Sequence, residues 1–214
     1  MSAATAIGTE AATATGTEIE VLSDAPPAEP SRPRVLLVGT ALATGAAAML
    51  VLTLIGLYLR LRSDVVAGGD AWLPEETNLQ LTPVTMGLVT LLMSADTVLW
   101  AAWALRRNDR GHALFAMGVT LLLGVAFILG AVYNLQQIGI GVGDSTPALL
   151  IFTIAGLHIA MVGVGLLFLL VMGFRALGGQ LTGRAAEGVS AASLYWFVTI
   201  AVYAVIWYGI YVTK

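Results

Sequence analysis

The sequence predicts an all-α integral membrane protein, a bundle of five transmembrane helices, and three observations lead to this prediction. Of the 214 residues, 58% are hydrophobic and only 11% are charged. The mean hydropathy is +0.88. Five long apolar stretches follow one another, and a helix of about 20 residues is enough to cross about 30 Å of hydrocarbon. The length leaves room for one bundle and for no sizeable soluble catalytic domain.

Residues 1–34 are predicted to form a disordered cytoplasmic tail, followed by a membrane domain at residues 35–214. The tail is rich in Ala, Thr, Glu and Pro, and it lacks the basic start and short apolar core of a signal peptide. Such a composition buries too little apolar surface to fold. A cluster of prolines keeps the chain extended just before the first span, so we place the boundary near Arg34.

The five predicted spans are residues 35–58, 84–105, 113–133, 149–174 and 193–212. Seven of the nine arginines fall on one side of the membrane: Arg32, Arg34, Arg106, Arg107, Arg110, Arg175 and Arg184. The opposite loops carry acidic residues, so the positive-inside rule predicts a cytoplasmic N-terminus and an external C-terminus. Arg60 and Arg62 oppose this prediction, but their long side chains can reach the headgroups beside span one.

Composition excludes several classes of function. The chain has no cysteine, which rules out disulfides and thiolate metal sites. The net charge of -3 gives no sign of nucleic-acid binding. The two histidines, His112 and His158, are predicted at different depths, and Met161 shares a helix face with His158, so no pair can hold a haem from both sides. We therefore predict no catalytic residue, no metal site and no cofactor in this chain.

Two ionisable residues, Asp96 and His158, are predicted near the middle of spans two and four. A charged group at that depth should face protein or water, be protonated, or have a partner. We hypothesise a hydrogen bond between the two side chains. The pair could serve as a proton relay, but contact between helices is the simpler interpretation, because a relay needs more titratable groups at staggered depths.

Small residues form stripes on two spans. Gly156, Ala160 and Gly163 recur along span four, and Gly118, Gly124 and Gly130 along span three. Such faces let helix backbones approach closely in lipid. They predict helix packing, either within the chain or against another subunit.

Aromatic residues gather near the ends of the predicted spans. The set comprises Tyr58, Trp72, Trp103, Tyr195, Trp196, Trp207, Tyr208 and Tyr211. Amphipathic rings favour headgroup depth, so we interpret them as interfacial anchors.

The order of several short motifs over residues 40–212 resembles subunit III of the haem-copper (cytochrome c) oxidases, in its five-helix bacterial form. The motifs are Gly56-Leu57-Tyr58-Leu59-Arg60, Trp72-Leu73-Pro74, Pro83 with Ser94 and Trp100-Ala101-Ala102, Gly124 to Phe127, Phe152 to His158, and Ser193-Leu194-Tyr195-Trp196. The resemblance is to a divergent member. Polar positions of the family correspond to Thr44, Gly45, Ala131, Asn134, Met161, Phe197 and Ile200, whereas His158 is retained. Asp96 lies outside the family pattern, and we interpret it as a replacement for a lost buried contact.

The resemblance implies a non-catalytic accessory subunit III of a bacterial aa3-type cytochrome c oxidase. Such a subunit stabilises the catalytic subunit and supports proton uptake and lipid binding in aerobic respiration. It implies subunits I and II as partners, haem and copper in those subunits, bound phospholipid, and a multi-pass location in the bacterial plasma membrane. Membership of a larger respiratory supercomplex stays open. Two alternatives stay open: a small proton-coupled transporter using Asp96 and His158, or an accessory protein of a quinol oxidase or nitric oxide reductase.

Overall fold

The computed structural model describes residues 34–179 and 186–213. Among these residues it contains helices and no strands: α1 (Val35–Ala67), α2 (Leu81–Arg106), α3 (Arg110–Gln136), α4 (Thr146–Leu177) and α5 (Ala186–Ile206), which continues as a π-helical turn at Trp207–Val212. All five are long and apolar enough to cross a membrane. The predicted all-α bundle is thus confirmed. Residues 1–33 of the expected disordered tail, which include Arg32, lie outside the described residues, and so does Arg184.

Each helix is longer than the apolar span predicted for it. The largest extension is in α1, which continues past Tyr58 to Ala67 through a polar turn where Arg60 Nε lies 3.1 Å from Asp64 Oδ2. Ion pairs at this spacing support exposed helix ends. The polar ends therefore continue the helices beyond the hydrocarbon layer.

Helix α5 is the central helix of the bundle. It packs against α1, α2 and α4, while α3 packs against α2 and α4. In its most apolar stretch 61% of the residues are buried, against 17% for α1. One half of the core surrounds Trp196, and the other surrounds Tyr58 and Ile210. We call the end of the bundle that carries Arg106 and Arg110 the arginine end, and the opposite end the loop end.

At the loop end, the two connecting segments pack on each other. The Asn78 N–H donates to the carbonyl of Ile138 at 2.8 Å, and Leu79 and Ile138 are both buried. Gly139 has φ +85°, and a Cβ there would lie 2.9 Å from the Glu76 carbonyl oxygen. Glycine is the residue that accepts this conformation in so little space. The glycine-rich segment is thus a packed turn that leads into α4.

At the arginine end, Asp109 caps the start of α3. Its carboxylate accepts from the backbone N–H of His112 at 3.2 Å, and its other oxygen lies 2.7 Å from His112 Nδ1. The backbone N–H of His112 is the main cause that lowers the pKa of Asp109. A carboxylate in this position satisfies one of the unpaired N–H groups of the helix end.

This cap predicts a loss of stability in acid. Because the pKa of Asp109 is lower in the folded state, the ionised carboxylate stabilises the folded protein. This stabilisation is complete above the unfolded-state pKa of about 3.9, and it is lost as the pH falls through the lower folded-state pKa. We expect the melting temperature of the wild type to exceed that of Asp109→Asn by a small margin at pH 6, and the margin to shrink below about pH 4. Asparagine keeps the capping oxygen without the charge. A margin that stays constant from pH 6 to pH 3 would contradict the prediction.

Candidate functional site in the middle of the bundle

His158 lies at the centre of the helix bundle and is 1% exposed. Its Nε2 is 3.0 Å from the carbonyl oxygen of Thr199 on α5. Because a carbonyl can only accept, Nε2 carries the hydrogen. The ring also packs beside Phe127 and Tyr203, with ring centroids 5.6 and 5.0 Å away. His158 therefore joins α4 to α5 in an aromatic environment.

Asp96 lies on the outer surface of α2, where its side chain is exposed. Among the described residues no hydrogen bond or ion pair reaches its carboxylate, and none joins it to His158. The expected Asp96–His158 contact is thus corrected: His158 faces α5, whereas Asp96 faces away from the bundle. For the same reason Asp96 does not replace a buried contact within this chain. An unpaired acid in the middle of a transmembrane helix costs about 2.5–3.5 kcal/mol on insertion scales.

Tryptophan and tyrosine side chains of α5 form hydrogen bonds to the surrounding helices. Trp196 Nε1 donates to Ser94 Oγ on α2 at 2.9 Å, and the Tyr195 hydroxyl donates to the Met161 carbonyl on α4 at 3.0 Å. The Tyr203 hydroxyl donates to a carbonyl of α2 at 3.2 Å. Inside a membrane the hydrophobic effect does not drive helices together, because lipid is as apolar as their side chains. Hydrogen bonds between helices therefore contribute to their association.

The interpretation of the aromatic residues as interfacial anchors is therefore wrong for several of them. Tyr58 and Trp196 are 0% exposed, and Tyr195 and Tyr211 are also buried. Tyr195, Trp196 and Tyr211 fill the core because α5 and its π-helical end are surrounded by other helices, whereas Tyr58 on α1 packs against Trp72 with ring centroids 5.4 Å apart. Trp103 and Tyr208 are exposed and are compatible with the anchoring role.

Glycines let these large rings approach the neighbouring helices. A Cβ at Gly165 would lie 2.8 Å from the Trp196 ring, and one at Gly87 would lie 2.9 Å from the Tyr203 hydroxyl. Gly124 also faces Trp196, with a Cβ distance of 3.0 Å. The core thus depends on small residues at these three positions.

The predicted packing stripe of α4 is not used within the chain. Gly156 and Ala160 are exposed, and Gly163 is half-buried. No atom lies within 4 Å of a Cβ built at Gly156 or Gly163. Of the stripe predicted on α3, Gly118 and Gly130 are equally open, and only Gly124 is in close contact.

Two hollows lie beside the His158 cluster. A cavity of about 30 Å³ is lined by His158, Asn134, Tyr203 and Tyr211, among others, and is large and polar enough for one water. A groove of about 250 Å³ opens between α2 and α3, along Met86, Gly87, Thr90 and Gly130. Within residues 34–179 and 186–213, no three His, Asp or Glu side chains lie close enough to hold a metal ion. The chemistry of this site is hydrogen bonding between helices.

Thr199 and Tyr203 are the site residues that the sequence reasoning missed. They continue a four-residue spacing from Tyr195 on one face of α5, and residues four apart on a helix share a face. That spacing of polar side chains in an apolar span is the signal that could have identified them.

Comparisons with known proteins agree on one family. Residues 38–214 match the model of the family described as cytochrome c oxidase subunit III. The chain is 30% identical to cytochrome c oxidase subunit 3 of Bos mutus grunniens over 146 residues, 67% of this chain and 56% of that protein. It is also 30% identical to the probable cytochrome c oxidase subunit 3 of Rickettsia conorii over 124 residues, 57% of this chain and 44% of that protein. The chain thus spans about half the length of the curated relatives it matches.

Proposed function

Because this chain belongs to the cytochrome c oxidase subunit III family, we propose that it is the non-catalytic accessory subunit III of a bacterial aa3-type cytochrome c oxidase. In this proposal it stabilises the catalytic subunit, binds phospholipid and supports proton uptake. Oxygen reduction takes place in the catalytic partner subunit, and the haem and copper of the complex belong to the partner subunits. The complex resides in the bacterial plasma membrane and takes part in aerobic respiration, where it can join a larger respiratory supercomplex.

The family match over residues 38–214 carries this proposal. It includes almost all of α1 and the whole of α2 to α5, so the resemblance concerns the entire bundle. A shared short motif would be much weaker support, because one fold hosts many functions.

The hydrogen bonds of the bundle support a structural role over proton-coupled transport. His158 is engaged with the Thr199 carbonyl, and Asp96 lies on the outer surface. A relay requires groups that pass a proton within hydrogen-bond reach. The two residues on which the transporter alternative rests are not in such contact.

Purification from native membranes tests the proposal. The chain would be tagged at its C-terminus and extracted in mild detergent, followed by a reduced-minus-oxidised spectrum and mass spectrometry of the proteins that copurify. We expect haem a bands together with oxidase subunits I and II. A tagged multi-pass protein of unrelated function serves as the control for nonspecific capture.

Other outcomes would identify the alternatives. A complex with haem bands of another type, active with quinol or nitric oxide, would replace the aa3 oxidase by a quinol oxidase or a nitric oxide reductase. A colourless protein that purifies alone would contradict the accessory role and favour the transporter.

A further inference from the structure

The outer face of α2 carries mostly large apolar side chains and one acid. Large apolar side chains are exposed on α2 within two turns of Asp96: Val89, Leu92, Met93, Leu99 and Trp100. Asp96 lies ten residues before Arg106, the last residue of α2, and therefore about 15 Å along the helix from the arginine end. Among the described residues, Asp96 is the one acidic side chain within the apolar middle of a helix.

Exposed threonine hydroxyl groups on the outer surfaces of the helices form hydrogen bonds within their own helix. Thr53, Thr90 and Thr153 each donate to the carbonyl four residues earlier, at 2.7 to 2.9 Å. An ionised carboxylate has no hydrogen to donate, and the N–H groups in the middle of a helix are already used by the helix. In its ionised form, Asp96 thus needs a hydrogen-bond donor from outside this chain.

The depth of Asp96 decides which donors can reach it. Long lysine and arginine side chains can extend to the interface, but the short aspartate side chain cannot. Lipid headgroups and bulk water lie about half a bilayer away. A side chain on another transmembrane helix can supply the donor at that depth, and a basic side chain fits best because intramembrane charges pair with opposite ones.

We propose that the Asp96 face of α2 is an interface with another subunit of the complex, and that the partner helix presents an arginine or lysine to Asp96. The inference rests on the proposed function, since it assumes a multisubunit assembly. The groove between α2 and α3 lies beside this face near the loop end, where the exposed Met86 lines it. Apolar side chains of the partner helix would fill that groove while the ion pair fixes its register.

Cross-linking from single cysteines tests the interface, and the natural chain has none to remove. The test position is Met93→Cys, because Met93 is exposed one turn from Asp96. The control is Leu122→Cys, at an exposed position on α3. Each would carry a short photoreactive maleimide in native membranes, followed by mass spectrometry of the adducts. We expect Met93→Cys to cross-link to a transmembrane segment with an arginine or lysine within about one turn. Adducts with lipid alone, with a second copy of this chain or with a segment lacking a basic residue would overturn the proposal.

Substitution of Asp96 tests the ion pair itself. Removing one partner of a buried pair is strongly unfavourable, so Asp96→Leu should lower the amount of partner subunit retained per tagged chain by at least about tenfold. Leu122→Met, on the exposed surface of α3 and outside the proposed interface, should leave it unchanged. The isolated Asp96→Leu chain should melt no lower than wild type, because the side chain is exposed.

These results separate the two proposals. If the wild-type chain copurifies with haem-bearing subunits but Asp96→Leu retains them equally, the interface is wrong while the accessory role stands. If the wild type retains no partner, the accessory role itself fails. Restoration of the complex by Asp96→Arg combined with an acid at the cross-linked basic position would establish the pair.

Discussion

Replacing Trp196 by alanine should lower the free energy of unfolding of the bundle by about 3–5 kcal/mol. The indole is 0% exposed, faces Gly124 and Gly165, and donates to Ser94. Alanine would leave a cavity between α2, α3 and α4 and remove the hydrogen bond to Ser94. Unfolding by a denaturing detergent, followed by circular dichroism, measures the loss.

A second tryptophan provides the matched control. Trp103 is 52% exposed on the surface of α2, where the Arg107 guanidinium lies 4.0 Å from its ring, so Trp103→Ala should change the unfolding free energy by no more than about 1 kcal/mol. Trp196→Phe keeps most of the ring but cannot bond to Ser94, and it should fall between the two. Equal losses for Trp196→Ala and Trp103→Ala would show that α5 is not the centre of the bundle.

The second large effect is expected at Gly165, where even one methyl group has no room. A Cβ there would lie 2.8 and 2.9 Å from two carbons of the Trp196 ring. Because the ring is enclosed on all sides, Gly165→Ala should destabilise by about 1–3 kcal/mol through overpacking. The same detergent titration measures this change.

Gly163→Ala is the natural comparison, two residues away on the same helix. No atom lies within 4 Å of its added Cβ, so the higher helix propensity of alanine should leave stability unchanged or raise it by up to about 1 kcal/mol. In a Trp196→Ala background the cost of Gly165→Ala should largely disappear, because the added methyl group then enters the cavity. Additive losses in the double variant would refute the steric explanation.

The five spans could be predicted from sequence because the bilayer sets a minimum length of apolar helix. The ends could not. In α1 the helix continues through Arg60 and Asp64, residues that hydropathy assigns to a loop but that pair with each other at helical spacing. The side of the membrane on which each end lies stays a prediction from the arginines.

Counting residues predicts the depths of Asp96 and His158 in the membrane, but it could not predict the directions in which their side chains point. Successive residues turn by about 100° around a helix, so Asp96 points almost opposite to Ser94, which is buried two residues earlier. In a soluble helix the polar side marks the surface. In lipid both sides are apolar, so the sequence pattern does not distinguish core from exterior.

The same difficulty explains the glycines. Gly163 and Gly165 are two residues apart and equally small, yet only Gly165 meets another helix. What distinguishes them is the position of Trp196 on α5, and that position depends on packing between segments distant in sequence.

The central position of α5 also determines how the protein can be made. During synthesis α5 is the last of the five helices to leave the ribosome, so α1 to α4 enter the membrane before the side chains that brace them exist. Until then, Ser94 and the small residues at positions 87, 124 and 165 face lipid or an insertase. Premature termination between the end of α4 and the start of α5 would release four helices without their common partner, a species that membrane quality control should degrade.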